Sequence, residues 1–192
     1  MIRRLYDWTM GLAGHPRAMW ALAAVAFVES SVFPIPPDVL MIPMVLAARA
    51  KAWKIAFVAT LASVLGGCLG YAIGYGFMDA IGQPILEFYG KAGEFDKLAA
   101  RFNDWGGWAV LIAGVTPFPY KVITIFSGAT QLSLPLFLDV SVLARALRFF
   151  IVAGLLWKFG APIRDFIERR LGLVFTVFVV GLAGGFYLLR YL

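Results

Sequence analysis

Cysteine and histidine are almost missing from this 192-residue chain, with one of each. Cys68 alone excludes an internal disulfide, and no spacing of Cys68 with His15 builds a metal site. Metal catalysis and thiol pairing are therefore poor readings. Charge is also scarce: 15% of residues are Asp, Glu, Lys or Arg, with 17 cations against 11 carboxylates. The cationic excess does not mark a nucleic-acid binder, because the cations sit at the ends of apolar runs and are not interleaved with aromatics on a polar face. What the chain has instead is apolar surface. A hydrophobic content of 61% and a mean hydropathy of +0.84 exceed those of a soluble globular domain and point to an integral membrane protein.

Apolar segments run over residues 18–48, 55–78, 108–133, 136–157 and 171–189. A simple span needs about 20 apolar residues to cross a hydrocarbon core of about 30 Å. Lys54 to Met78 and Leu171 to Leu189 meet that length directly. The first segment is too long for one span and divides at Phe33-Pro34-Ile35-Pro36-Pro37, where proline removes a backbone donor and forces its predecessor out of helical geometry. The arm from Asp38 to Ala48 covers only about 16 Å at the helical rise, half a bilayer. It predicts a re-entrant hairpin over 18–48 that turns near the midplane and returns toward Arg49, Lys51 and Lys54. Turn backbone at that depth must be buried in protein or line a wet cavity.

The segment 108–133 repeats the pattern. At a constant offset of 83, Pro34-Ile35-Pro36-Pro37-Asp38-Val39 matches Pro117-Phe118-Pro119-Tyr120-Lys121-Val122 at two prolines and the valine, and sets Asp38 against Lys121. Each hairpin precedes one full span, Lys54 to Met78 and Phe137 to Trp157, so an odd number of crossings gives the copies opposite orientation. The predicted fold is an all-α polytopic membrane protein: two oppositely oriented re-entrant helical hairpins in an inverted repeat, with additional transmembrane and interfacial helices.

Around that core, residues 1–17 predict a retained N-terminal interfacial helix, with Ile2, Leu5, Trp8 and Leu12 at helical spacing. Residues 18–157 form the membrane domain. Within it, 79–107 predict an external amphipathic connector of two short helices, with the stripe Ile81, Ile85, Phe88, Ala92, Phe95, Ala99 and Phe102 and with Gly106-Gly107 at its end. Residues 158–192 predict a basic cytoplasmic loop and a C-terminal transmembrane helix. Ten Lys and Arg fall in 1–17, 49–54 and 158–170, against four on the other side, so the N-terminus is expected in the cytoplasm and the C-terminus outside a bacterial inner membrane.

Ionisable groups within a membrane usually pair or line a pathway. Glu29 and Asp38 flank the first tip, Lys121 lies at the second, and Arg145 and Arg148 share one face of the following span. They can act as a structural lock between the hairpins or as a transport site. Proline-started arms at Pro36-Pro37 and Pro119-Tyr120 would present helix N-termini near the midplane, which attract an anion. The tips comprise Pro34, Pro36, Pro37, Thr116, Pro117, Pro119 and Tyr120. Phosphate or carboxylate is the expected guest of Lys121, Arg145 and Arg148, while Glu29 and Asp38 are candidates to exchange protons. Gly66, Gly70 and Gly74 mark a helix-packing face, repeated by Gly181 and Gly185, and such faces permit a homodimer. No Ser-His-Asp set or two-histidine motif suggests an enzyme, and no cofactor is expected.

These residues together resemble the DedA family, also called the SNARE-associated Golgi or VTT domain family, and within it the YqaA-like branch. The likeness covers roughly residues 18–157 and rests on Glu29 with Pro34-Ile35-Pro36-Pro37-Asp38, Gly66-Gly67 to Gly70-Tyr71 and Gly74, then Pro117-Phe118-Pro119 with Lys121 and Ser127-Gly128-Ala129. The resemblance implies paired re-entrant hairpins and lipid translocation, of undecaprenyl phosphate or phospholipid, often linked to protons. It maps the family's acidic pair onto Glu29 and Asp38. The sequence departs from the family's Arg-Phe-x-Pro-x-x-Arg pattern at the second tip, where Thr116, Pro117, Pro119 and Val122 stand. The basic role then falls to Lys121, Arg145 or Arg148. Competing readings are a lipid scramblase without ion coupling, a small-ion or proton exchanger, and a structural protein supporting the envelope.

Overall fold

The structure, a computed structural model, describes residues 17–33, 36–116 and 118–160, all in helices and short connections. The predicted interfacial helix, the C-terminal span with Gly181 and Gly185, Pro34 and Pro117 lie outside the described residues. In chain order the helices are α1 (Ala18–Ser31), α2 (Asp38–Ala47), α3 (Ala52–Phe77), α4 (Gln83–Phe88), α5 (Ala92–Val115), α6 (Tyr120–Ala129) and α7 (Leu134–Phe159). A 3-10 turn over Arg49–Lys51 leads into α3, and a π-helical turn over Met78–Gly82 leads out of it. Element lengths recur: α2 and α6 have 10 residues each, and the α3 and α7 that follow have 26 each.

The proline breaks set this pattern. Helix α1 stops just before Pro34, and α2 starts on Pro37, whose fixed φ of −65° suits a helix start. Helix α6 begins after Pro119 in the same way. Contacts then fix the directions. Phe27 and Ser30 of α1 meet Gly66 and Gly70 of α3 in rising order, so α1 and α3 run parallel. The chain therefore leaves one end of the bundle along α1, reverses at the break, and returns along α2 to start α3. In the second half, Gly107 meets Leu136 and Gly114 meets Ala144, so α5 and α7 are parallel as well. Helices α3 and α7 are antiparallel, with Trp53 on Trp157 and Ser63 on Arg145.

Glycine makes the bundle tight where helices cross. At Gly66 an added methyl would overlap the Phe27 carbonyl, at Gly74 that of Ile125, and at Gly128 that of Tyr71. Gly74 and Gly128 thus bring α3 and α6 backbone to backbone, each facing the other helix. Two apolar clusters fill the rest. One gathers Leu22, Met41, Val45, Ile55, Phe149 and Leu156, and the other gathers Val110, Tyr120, Leu132 and Phe137.

The connector differs from its sequence reading. Helix α5 runs unbroken through Gly106 and Gly107, because these glycines seat against Leu132 and against Leu136 and Val140 and do not end a helix. At the other side, Arg49–Phe88 forms one helical run of 40 residues, the one among the described residues long and apolar enough to cross a membrane. Helices α1 and α2 are apolar but shorter. The basic segment 49–54 and the end of α7 do share one end of the bundle, where the Arg49 guanidinium covers Gly160.

Gly128→Ala should lower thermal stability in detergent by the overpacking cost of about 1–3 kcal/mol, since a backbone carbonyl cannot yield. Gly76→Ala, with no atom near its added methyl, should be neutral or gain up to about 1 kcal/mol of helix propensity. Equal melting temperatures for the two variants would refute backbone-to-backbone packing of α3 and α6.

Candidate functional site

Helix α7 carries Arg145 and Arg148 one turn apart, facing both breaks. Arg145 is 1% exposed. Its Nε donates to Ser63 Oγ at 2.5 Å and its Nη2 to Glu29 Oε2 at 2.8 Å. Ser30 Oγ donates to the same Glu29 oxygen at 3.0 Å and lies 2.6 Å from Ser63 Oγ. A hydroxyl has one proton, and that of Ser30 goes to Glu29, so Ser63 donates to Ser30. The guanidinium also lies 4.6 Å from the Tyr120 ring centre and 4.7 Å from that of Phe149. Tyr120 is held in turn by its hydroxyl, which donates to Ser141 Oγ at 2.5 Å. Helices α1, α3, α6 and α7 all contribute, so the desolvated cation meets one carboxylate, one hydroxyl and two ring faces.

Arg148 is built differently. Its Nη2 donates to Asp38 Oδ2 at 2.7 Å, and its Nη1 donates to the Thr116 carbonyl. One guanidinium thus ties the first break to the second. Side-chain exposures of 15% for Arg148 and 22% for Asp38 leave this pair partly open, and Asp38 Oδ1 has no hydrogen-bond partner among the described residues. The breaks are joined twice more. Lys121 Nζ donates to the Val32 carbonyl at 3.2 Å, and Thr124 Oγ1 shares its one proton between the Ser30 carbonyl at 3.0 Å and the Lys121 carbonyl at 2.9 Å, so both side chains serve carbonyls that the end of α1 leaves without a helical donor.

The two helix starts carry opposite charge. Asp38 occupies the first turn of α2, where a carboxylate complements the positive end of the helix dipole. The first turn of α6 has no acidic residue and holds Lys121. Cation and dipole add at that point, leaving a preference for an anion.

Of the residues picked from sequence, Glu29, Asp38, Arg145 and Arg148 converge as two ion pairs. Lys121 stands at the second break but bonds a carbonyl and makes no ion pair among the described residues. Tyr120, the first residue of α6 at the second break, is buried with its ring against Arg145. Thr116 contributes its backbone oxygen, and Pro37 and Pro119 sit immediately before α2 and α6. Ser30, Ser63, Thr124 and Ser141 were not anticipated. Their signal was a hydroxyl inside an apolar helix, which usually has a bonding partner. Among the described residues no three His, Cys, Asp or Glu side chains converge on a metal position.

A family model for the VTT domain matches residues 35–158. The chain belongs to the VTT-domain family. This VTT protein is 40% identical over 168 residues to an uncharacterized protein of Haemophilus influenzae, covering 85% of this chain and 87% of that one. It is equally 40% identical over 168 residues to an uncharacterized protein of Histophilus somni, with the same coverage. An uncharacterized membrane protein of Mycobacterium leprae is 26% identical over 151 residues, 76% of this chain and 64% of its own. No solved structure matches. The composition, the VTT domain and the membrane relative together make this a helical membrane protein.

The two ion pairs should separate in stability measurements. Glu29→Gln leaves Arg145 buried without a counter-charge and should cost about 3–5 kcal/mol, whereas Asp38→Asn at the partly open pair, where Arg148 keeps the Thr116 carbonyl, should cost less, about 1.5–3 kcal/mol. Thermal unfolding in nanodiscs checks this, and a larger loss from Asp38→Asn would contradict the assignment of Glu29 as the structural partner.

Proposed function

We propose that this VTT protein carries the phosphate headgroup of an anionic lipid, undecaprenyl phosphate or a phospholipid, across the bacterial inner membrane, with a proton exchanged at Asp38. The observation that carries the reading is Arg148, which holds both helix breaks, keeps a partly open carboxylate partner, and stands beside an α6 start that favours an anion.

Depth supports it. Glu29 lies nine residues from Trp20, Ser63 ten from Trp53 and Arg148 nine from Trp157, each about 14–15 Å at the helical rise, which is half of a hydrocarbon core about 30 Å thick. Those tryptophans are exposed, as membrane-interface anchors are. From the opposite side, Thr116 lies eight residues, about 12 Å, from Trp108. Two breaks at mid-depth, approached from opposite ends and each followed by a 26-residue helix, fit re-entrant hairpins in an inverted repeat.

Competition supplies the coupling. Glu29, Asp38, Arg145, Arg148 and Lys121 sum to one positive charge, which a phosphate monoanion brought to Lys121 and Arg148 cancels. A proton on Asp38 frees Arg148 to bind and leaves room for a second negative charge on the phosphate. Phosphate and Asp38 compete for one guanidinium, so headgroup binding and protonation favour each other. Glu29 stays committed to Arg145. Lipids and protons are the proposed partners; the Gly66, Gly70 and Gly74 face is taken by α1 and α6 within the chain and is not open to a second copy.

Proteoliposomes holding fluorescent polyprenyl phosphate or fluorescent phospholipid, with and without a pH gradient, test this on variants first shown to fold. Wild type should move a phosphate lipid faster with the gradient. Lys121→Ala should slow movement about tenfold or more, the worth of a charge-assisted hydrogen bond, and Asp38→Asn should abolish the gradient response. A gradient-independent wild type would leave a scramblase, and no movement of any tested lipid by folded wild type would sink the reading.

A further inference from the structure

The exposed face of α5 changes chemistry along its length in a way the central site does not use. Lys97, Arg101, Trp105, Trp108, Ile112 and Val115 follow at steps of four and three, so they fall within a sector of about 80° on one side of the helix. All six are exposed, with Trp105 at 68% and Trp108 at 62%. The opposite side of α5, with Gly106, Val110, Ala113 and Gly114, is buried against the bundle. From the start of α5 inward the open face runs cation, cation, tryptophan, tryptophan, aliphatic, aliphatic.

That order matches a half bilayer: phosphate zone, interface, hydrocarbon. A protein partner would not need such a gradient. Neither Lys97 nor Arg101 is in an ion pair among the described residues, while Glu94 on the same side is taken by Lys91 at 3.3 Å. Lys97, Arg101 and Asp104 also border one shallow depression with Leu98 and Ala100. The face ends at Val115, next to Thr116, whose carbonyl Arg148 holds.

We propose that this face of α5 is a docking track for anionic lipid: Lys97 and Arg101 take the phosphate, and Trp105, Trp108, Ile112 and Val115 take the chain. Asp104 on its flank opposes a second negative charge. The track names the route by which lipid reaches the second break; its role in transport rests on the proposed function, but the docking does not.

The full chain in phosphatidylcholine vesicles containing a minor fraction of brominated phosphatidylglycerol, or the same fraction of brominated phosphatidylcholine, tests the proposal. The difference in bromine quenching between wild type and a Trp105→Phe, Trp108→Phe variant isolates the track. Brominated phosphatidylglycerol should quench these tryptophans more than brominated phosphatidylcholine does. Lys97→Gln with Arg101→Gln should erase the excess, about fivefold in local enrichment per cation, and Asp104→Asn should raise it. Equal quenching by the two lipids, an excess that survives loss of both cations, or no quenching by either would overturn the track; the last would show that protein, such as a second copy, covers the face. Normal selective quenching without lipid movement would overturn the transport reading alone.

Discussion

A guanidinium that cannot reach water constrains most of this bundle. Arg145 sits between the rings of Tyr120 and Phe149, one from each apolar cluster, so it occupies the seam where those clusters meet. A full charge at mid-membrane costs about 2.5–3.5 kcal/mol even on the most lenient scale, and it is tolerated when acceptors surround it. Glu29, Ser63 and two aromatic faces meet that condition. Three of the four helices involved have to approach α7 closely, which limits how their neighbouring positions can be filled.

The glycines answer that limit. Gly66 and Gly70 let α1 lie against α3 so that Ser30 reaches Ser63, and Gly74 with Gly128 let α6 lie on the other side so that Thr124 reaches the Ser30 carbonyl. Small residues and the polar network are therefore one device. Close backbones bring hydroxyls within bonding distance, and those bonds remove the unsatisfied groups that helix breaks in an apolar setting would create.

The halves repeat in length but not in charge, and the proposed transport cycle depends on that difference. Asp38 and Lys121 stand at equivalent helix starts, one complementing the dipole and the other adding to it. Arg148 reaches both breaks from α7. A symmetric pair of acidic starts would hold two cations and repel phosphate; the observed pair leaves one start neutralised and the other receptive. In the proposed cycle the tight Arg145 pair gives support and the partly open Arg148 pair gives exchange, within a single helical turn.

The sequence by itself determined that the chain is helical and membrane-bound, where it breaks, and which ionisable residues stand among its apolar segments, because prolines and charges act through local chemistry that composition and spacing expose. Glu29, Asp38, Arg145 and Arg148 were legible for that reason. Pairing was not. A lock between the hairpins left open whether Lys121 or an arginine meets each carboxylate; three-dimensional reach gives both carboxylates to α7 and leaves Lys121 a carbonyl. Gly106-Gly107 looked like a helix end, yet close packing on Leu132 and Leu136 keeps α5 continuous. The hydroxyls of Ser30, Ser63, Thr124 and Ser141 carried no periodic signal. Only the tertiary structure decided these points, since a hydrogen bond or a glycine contact depends on which distant helix arrives within a few ångströms, and no local pattern records that.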